Sequence, residues 1–541
     1  MVIDECTLPK SNKLVTDYLL GEKKAQAYFE YDYKDLQTYI NRKHELSDRH
    51  FPREALVEHL LQFNELFSTH PKVFENIKKL REKDSTVVIT GQQAGFLTGP
   101  LYTIYKAIST IVHAKQLEKK LQSPIVPVFW VAGEDHDYEE INHIWLLKDH
   151  QLVKEKYSGP NNSKRPVTNI EINHREMKAW IENVFALFGE TEHSEAVLQF
   201  IAEKLEGSNN VTEFFIRIMA AFFEKYGLVF VDSANENIRK IESPFFKELI
   251  QQNEKLRHAF QEQRNNIVKD GYPAGVESEP RCAHLFYHVN DERQLLYHVN
   301  DDVYTLKDID VKLTKEELEI ICEQHPEQLS NNVVTRPLMQ EFLFPTLAFV
   351  AGPGEITYWA QLKPLFTLFN KKMPPIVPRM HVTIVERNVN KWMQNLQLPL
   401  QTILSSGVSK YRNEWFEKQK GDHAESIVQE TKHLIDLAHA NLRKFAWSLD
   451  HNLGQISEKN RLLIMEQLDY MERRIEQMYE HRHSYEIGLF KKIEATLVPN
   501  GGLQERMWNV FYYINRYGIE FIDQLIIEHQ VNESKHYILF L

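Results

Sequence analysis

Five short apolar segments rich in β-branched residues recur along the chain, and polar or glycine-rich turns follow several of them. In chain order they are residues 85–90, 124–133, 228–232, 346–350 and 376–378. Short segments that are apolar on both faces are typical of buried parallel strands, and helical patterns fill much of the sequence between them. We therefore predict an α/β core with a doubly wound parallel sheet and right-handed crossovers. The prolines of the last segment favour an edge position for that strand, because proline cannot donate a backbone hydrogen bond.

The C-terminal part of the chain follows a different periodicity. From about residue 424 to residue 497, apolar residues repeat in steps of seven, or of four and three, and charged residues fill the other faces. This pattern predicts a coiled coil. Gly454 separates the two runs, so we expect an antiparallel helical hairpin that turns there and packs on itself, on the core or on a second copy.

These patterns predict three regions. Residues 1–84 form a helical N-terminal cap, residues 85–420 form the core, and residues 421–541 form the coiled-coil hairpin with a tail that docks on the core. Within the core we expect a helical insertion at about residues 150–227 and a β-meander insertion at about residues 271–320. The meander contains YHVND twice, and paired strands explain the repeat better than a site built from His288 and His298.

Composition narrows the class of protein. The chain has 541 residues, 43% of them hydrophobic, and a formal net charge of −12, which argues against binding nucleic acid or an anionic membrane through a global basic field. Three cysteines far apart suit a reducing compartment. The first residues do not resemble a signal peptide, and the apolar run at residues 342–351 is too short to span a bilayer. We expect a soluble, cytoplasmic protein.

A first polar cluster follows the first predicted strand, and ligands bind at the carboxyl ends of strands in such sheets. The glycine-rich turn at residues 91–98 leads into a helix, so its backbone amides are candidates for binding an anion. It matches neither a P-loop nor a dinucleotide fingerprint. A tight structural turn explains the sequence equally well. The candidate binding residues are Gly91, Gln92, Gln93, Gly95, Thr98, Tyr102 and Lys106.

A second cluster, Glu134, Asp135, His136 and Asp137, follows the second predicted strand. Three carboxylates this close repel one another, so the cluster favours a bound cation or substrate amine. Asp135 or His136 is a candidate for taking the proton of an attacking amine. The alternative is an acidic turn at a helix N-terminus. No further His or Cys cluster has metal-ligand spacing, so we predict no metal.

A third cluster follows the fourth predicted strand and opens a helix. Its candidate binding residues are Gly352, Gly354, Tyr358 and Gln361, with Arg336, Gln340 and Arg379 nearby in sequence. The arginines are candidates for pairing with a substrate carboxylate, although a surface ion pair is the alternative for each of them. Glu355 joins Glu134, Asp135 and His136 as a candidate catalytic residue. Cys282 and Cys322 are expected to pack in the core.

Four stretches carry a family resemblance. TGQQAGFLTGPLYTIYKA, PVFWVAGEDHDYEEIN, RPLMQEFLFPTLAFVAGPGEITYWAQL and LQERMWNVFYYINRYG together resemble the bacillithiol biosynthesis cysteine-adding enzyme family (BshC), the cysteine ligases of low-GC Gram-positive bacteria. The resemblance extends over the whole chain. It implies a Rossmann-like core with inserted connecting segments, a C-terminal antiparallel coiled coil and a homodimer.

The resemblance also implies an activity. In the last step of bacillithiol biosynthesis, the carboxyl of L-cysteine is joined as an amide to the amine of glucosaminyl-malate. We expect malate or phosphate oxygens at the amides of residues 91–98 and at Arg379, with the amine near Glu134, Asp135 and His136. The alternative is a non-catalytic scaffold whose coiled coil recruits the true cysteine-transferring enzyme.

A nucleotide follows only by analogy. The family's core is distantly similar to class I aminoacyl-tRNA synthetases, but this chain has neither an HxGH motif nor a KMSKS-like loop. No motif fixes a cofactor, and ATP or ADP is compatible with the chain. The tail around Arg506 is as good a candidate for a nucleotide as the strand ends.

Overall fold

The computed structural model of the protein describes residues 2–7, 12–159, 164–300, 302–306, 309–527 and 535–541. The chain divides into two compact units. The first comprises Met1–Leu146, Val153–Thr383 and Gln504–Leu539, and the second comprises Leu147–Leu152, Ile384–Leu503 and Phe540–Leu541. The second unit therefore starts well before residue 421, where the sequence pattern places the coiled-coil region.

A five-stranded parallel sheet forms the centre of the first unit and confirms the predicted strands. In spatial order its strands are Ile376–Pro378, Thr346–Ala351, Thr86–Gln92, Ile125–Val131 and Val229–Asp232. In chain order this arrangement reads 5-4-1-2-3, the order of a Rossmann-like, doubly wound sheet. The proline-containing strand lies at the edge, as predicted. The strand order reverses between Thr86–Gln92 and Thr346–Ala351, and we call the crevice there the switch point.

Helices of the first unit accompany this sheet, and the four strands from Thr86 to Ala351 are buried along most of their length. The helices are Lys13–Leu20, Lys23–Gln26, Leu36–Ser47, Arg53–Glu65, Pro71–Lys79, Leu101–Leu121, Tyr138–Ile141, His174–Phe188, Ser194–Glu206, Val211–Phe223, Glu236–Gln251, Asn253–Lys269, Lys315–Gln324, Arg336–Leu343, Pro353–Trp359, Lys363–Leu368, Val510–Tyr517 and Phe521–Ile527.

The N-terminal region is not wholly helical, which corrects the prediction for residues 1–84. Strand Val2–Thr7 pairs with Lys535–Phe540, which in turn pairs with His381–Val385. Helices occupy much of the remainder up to Lys79. Pairing with a strand from the other end of the sequence overrides local propensity, and no local pattern could reveal that partner. A separate two-stranded sheet joins His143–Lys148 to Gln151–Lys156.

The predicted meander is present as an antiparallel sheet. Its strands in spatial order are Lys312–Thr314, Val303–Leu306, Glu292–Asn300, Cys282–Val289 and Leu329–Asn331. His288 lies opposite Arg293, whereas His298 lies opposite Tyr304. The two histidines therefore do not pair across the strands, and the interpretation as paired strands is confirmed.

Two long helices, Ser409–Leu449 and His451–Arg482, dominate the second unit and form the predicted hairpin. Shorter helices are Arg387–Asn395, Leu400–Ser406 and Ser484–Leu497. The turn lies at Asp450 and not at Gly454, so that prediction was wrong. The Asp450 side chain caps the second helix by accepting from the amides of Asn452 and Leu453. A capping aspartate therefore ends the first helix and starts the second, and glycine is not needed for the turn.

Gly454 serves helix packing instead. A Cβ atom at this position would lie 2.2 Å from the Trp447 ring, too close for any side chain. Replacing glycine by alanine inside a helix normally stabilises it by about 1 kcal/mol. Here we expect Gly454→Ala to lower the melting temperature, because the indole must move. Gly488→Ala is the matched control, since its Cβ would meet His150 at an ordinary 3.5 Å. Equal melting temperatures for the two variants would contradict this account of Gly454.

Among the described residues, no helix is both long enough and apolar enough to cross a membrane.

Candidate active site

A cavity of about 920 Å³ in the first unit extends from the switch point. All three predicted polar clusters contribute to its wall, through Gln92 and Gln93, through Asp135 to Asp137, and through Gly352 to Glu355. The meander and the tail contribute as well, with Arg293 and Arg506. Such a position, beside the carboxyl ends of the strands where their order reverses, is where open α/β sheets bind ligands.

Lys106 joins the two sides of the switch point. Its Nζ donates to the Gly91 carbonyl at 2.7 Å and to Gln92 Oε1 at 3.0 Å, and it forms an ion pair with Glu355 Oε2 at 2.6 Å. Burial lowers the pKa of Lys106, and the neighbouring Glu355 opposes that shift. The Gly352 amide also donates to Glu355 Oε2, at 2.7 Å. Glu355 is thus held as a fixed carboxylate at the start of helix Pro353–Trp359.

Three arginines, Arg336, Arg379 and Arg506, line the cavity. The Arg379 Nη2 donates to Glu505 Oε1 at 2.6 Å. Burial would raise the pKa of Glu505, but Arg379 and His381 outweigh it and hold that pKa far below its usual range. The Arg379 Nε has no hydrogen-bond partner among the described residues. It lies beside Gly352, and a Cβ there would approach it to 3.3 Å.

Glu134 lies behind the cavity wall and does not line it. Its carboxylate accepts from Arg239 Nη2 at 2.5 Å and from Arg336 Nε at 3.1 Å. Burial opposes ionisation, but the two arginines outweigh it and lower the pKa of Glu134. A fully buried carboxylate held by two guanidinium groups cannot accept a substrate proton directly. Glu134 therefore anchors Arg336 from behind the wall, and this burial argues against the direct catalytic role predicted for it.

Asp135, by contrast, lines the cavity. Its Oδ1 accepts from the His136 amide at 2.9 Å and from Arg293 Nη1 at 3.3 Å, and its Oδ2 accepts from Gln93 Nε2 at 3.0 Å. Burial would raise the pKa of Asp135, but Arg293 and Arg336 outweigh it, so the pKa is lowered. Asp135 is thus an ionised acceptor at what we call the acidic end of the cavity, together with His136 and Asp137.

The glycine-rich turn differs from its prediction as an anion site. The Leu101 amide, at the start of the helix, donates to the Trp508 carbonyl at 2.8 Å. The Asn509 Nδ2 donates to the carbonyls of Leu97 and Gly99, each at 2.8 Å. The tail therefore covers this helix start and occupies the Leu101 amide, while Gly91, Gln92 and Gln93 still line the cavity. Tertiary contacts with a distant segment decided this, and the local motif could not show them.

Comparison with known proteins identifies the family of this chain. The family model described as "Bacillithiol biosynthesis BshC, N-terminal Rossmann-like domain" matches residues 1–380, and "Bacillithiol biosynthesis BshC, C-terminal coiled-coil domain" matches residues 382–541. The chain belongs to the BshC family. Relatives named "Putative cysteine ligase BshC" include one from Anoxybacillus flavithermus, 39% identical with 100% of both chains covered. Another from Geobacillus kaustophilus is 38% identical with 100% of both covered, and one from Bacillus velezensis is 39% identical with 96% of each covered.

Most predicted site residues meet in this one cavity of the BshC fold. Those that line it are Gly91, Gln92, Gln93, Tyr102, Lys106, Asp135, His136, Asp137, Arg336, Gln340, Gly352, Gly354, Glu355, Tyr358, Arg379 and Arg506. Gly95, Thr98, Glu134 and Gln361 do not. Gln361 is fully buried, and its side-chain amide bonds to both the amide and the carbonyl of Val276. It therefore supports the backbone of the cavity wall and has no free group for a substrate.

Sequence reasoning missed Arg293, which the meander of this BshC chain brings to the acidic end. Its Nη1 reaches Asp135 and His136, its Nε donates to Ser330 Oγ at 3.0 Å, and its guanidinium stacks 3.8 Å from the centre of the Phe286 ring. The one local signal was an arginine at a hairpin turn, which usually faces solvent. Its burial, with 3% exposed, follows only from how the meander packs.

No group of three or more His, Cys, Asp or Glu side chains arranged to hold a metal ion is found in the part of the chain that the structure describes.

Proposed function

We propose that this chain is a cysteine ligase that joins the carboxyl of L-cysteine to the amine of glucosaminyl-malate in the last step of bacillithiol biosynthesis. One observation supports it most: a single cavity is lined both by the arginines Arg379 and Arg506 and by the acidic cluster with Asp135 and His136. Glucosaminyl-malate carries groups that match both kinds of residue, since its malate has carboxylates and its sugar has an amine. The names of the relatives point to the same chemistry.

The arrangement suits amide formation. Malate carboxylates would pair with the arginines, and the amine would lie against the Asp135 carboxylate. The amine nitrogen attacks the activated cysteine carbonyl, a C–N bond forms, and the carbon–oxygen bond to the leaving group breaks with its electrons going to oxygen. The proton of the amine passes to Asp135 or to solvent. A coiled-coil scaffold without catalysis would not need such a cavity, so the ligase is the function we favour.

Arg506 extends the proposal to the anionic groups of the substrates. It is exposed on the cavity wall, beside Tyr102. Burial raises the pKa of Tyr102, and the charges of Arg379 and Arg506 oppose that shift. We propose that Arg506 binds a malate carboxylate or, if ATP activates the cysteine, a phosphate. Arg506→Ala should raise KM for one of these two substrates about tenfold while kcat changes little, because one charge-assisted hydrogen bond is lost. Unchanged KM for both would contradict this role.

The decisive experiment is an extract assay. Purified full-length chain is added to an extract of cells that lack its gene, with ATP, L-cysteine and glucosaminyl-malate, and bacillithiol is quantified. We expect bacillithiol to form with wild-type protein and not with glucosamine in place of glucosaminyl-malate. Ligation that is equally fast with glucosamine would show that the malate group is not recognised. No ligation at all would reject the proposal that the chain is a cysteine ligase.

We also propose that a second copy of the chain covers the hairpin. Its helices expose many large apolar side chains, among them Leu434, Leu442, Phe445, Leu449, Ile456 and Met471. Exposed apolar surface of this extent is typical of an interface. Sedimentation should show a dimer, and Phe445→Glu with Leu449→Glu should convert it to a monomer, whereas Ser448→Glu should not. A monomeric wild-type protein would contradict the proposal.

We propose that the protein works in a reducing cytoplasm, where the thiol that this step produces would stay reduced.

A further inference from the structure

His136 makes a contact that fixes where its proton lies. Arg293 Nη1 lies 3.2 Å from His136 Nδ1, within hydrogen-bond distance. A guanidinium group has only donors and no acceptor, and it stays charged near neutral pH even though burial lowers the pKa of Arg293 to about 10. The hydrogen bond therefore runs from arginine to histidine, and Nδ1 must be the unprotonated nitrogen. The proton of neutral His136 is then on Nε2.

The charged groups around His136 shift its pKa in both directions. Burial and then Arg293 lower its pKa, and Lys164 acts in the same direction, while Asp137 and Asp135 oppose the shift. His288, on strand Cys282–Val289, is also close enough to interact electrostatically with His136. Burial lowers the pKa of His288 to about 3, so His288 is uncharged near neutral pH.

We infer that Arg293 is a positioning residue that holds His136 as a neutral imidazole with Nε2–H directed to a substrate oxygen, and that His136 acts as a hydrogen-bond donor and not as the base. The inference rests on the proposed ligase function. The nitrogen that a base would use, Nδ1, is occupied by a cation. His136 lines the cavity with 23% of its side chain exposed, and its Nε2 lies 4.0 Å from Asp137 Oδ1, beyond hydrogen-bond distance, so Nε2–H is the group left for a substrate.

This assignment gives Asp135 and His136 different roles in the reaction. Asp135 is an ionised carboxylate and receives the amine, whereas His136 donates to the oxygen of the cysteine carbonyl. That oxygen gains negative charge as the C–N bond forms, and a fixed donor stabilises it without prior reorganisation. Asp135 and His136 thus take separate roles, and Arg293 contacts both, at 3.3 Å and 3.2 Å.

The tautomer can be measured without any activity. The full chain is labelled with ¹⁵N-histidine, and subtraction of the His136→Gln spectrum identifies the two ring nitrogens of His136. We expect a protonated Nε2 and an unprotonated Nδ1 at pH 7, and we expect Arg293→Met to move the titration midpoint of His136 upward, with Arg293→Lys in between. The matched control, Arg81→Met on the exposed surface, should leave the midpoint unchanged. A protonated Nδ1 at pH 7, or an unchanged midpoint in Arg293→Met, would overturn the inference.

A second measurement separates donor from base. The side-chain amide of Gln places its nitrogen near the position of Nε2, whereas the amide of Asn reaches only the position of Nδ1. In the extract assay, we expect His136→Gln to keep the rate within about tenfold of wild type, and His136→Asn to lose about 100-fold or more, the usual cost of removing a transition-state donor. Equal losses in both variants would overturn the donor role. Absence of ligation by the wild type would refute the ligase proposal, while the tautomer measurement would still decide the position of the proton.

Discussion

Replacing Asp135 by Asn should lower the rate of bacillithiol formation in the extract assay by about 10²- to 10⁴-fold, the range expected for losing a positioned proton acceptor. The substitution keeps the shape and keeps one oxygen to accept from Gln93 or Arg293. It removes the charge that would bind the substrate amine and accept its proton. We therefore expect a large fall in kcat/KM with little change in folding.

Glu139→Gln is the matched control for that experiment. Glu139 lies four residues further along, 72% of its side chain is exposed, and its contact is an ion pair with Lys156. We expect wild-type rates for this variant. A wild-type rate for Asp135→Asn, in protein shown to be folded by circular dichroism, would remove Asp135 from the reaction and with it the acidic end of the proposed site.

Glu134→Gln is expected to reduce the free energy of unfolding by about 3–5 kcal/mol, the usual cost of breaking a buried ion pair from one side. Glu134 has no exposed surface, and its neutral replacement leaves Arg239 and Arg336 short of a counter-charge. Urea denaturation measures the difference, with the exposed Glu82→Gln as control. A loss below 1 kcal/mol would show that other anions satisfy these arginines.

Glu242 adds a pH dependence to the same cluster. Burial raises its pKa to about 8, and Glu134 adds to the shift, although Arg239 opposes it at 3.0 Å. Between the ordinary pKa of a glutamate and about 8, the folded state therefore holds a proton that the unfolded chain has released. Raising the pH through this range favours unfolding, so stability should fall from pH 5 to pH 8. Urea titrations should show a shallower fall for Glu242→Gln, and an identical slope would contradict the assignment.

The sequence predicted the parallel strands and the edge strand, and it placed three distant polar clusters after strands of the sheet. The clusters meet in one cavity because the carboxyl ends of such strands lie on the same side of the sheet. The sequence could not show that Glu134 and Asp135 have different positions in the site. The two are adjacent and chemically alike, and only the positions of Arg239 and Arg293 make one a buried anchor and the other part of the cavity wall. The hairpin turn was misplaced for a similar reason, because tertiary packing and not local sequence decides it. The glycine at position 454 makes room for the Trp447 ring and does not form the turn.

The contact of Asn509 with the glycine-rich turn bears on the order of events during synthesis. Asn509 bonds to the carbonyl of Leu97, 412 positions earlier in the sequence. A chain growing on the ribosome carries the first strand of the sheet long before the residues that cover the adjoining helix start exist, and domains generally begin folding from the N-terminal side. The pocket wall is therefore completed only late in translation, so a nascent chain that stalls in the coiled coil would expose an unfinished core to chaperones and proteases.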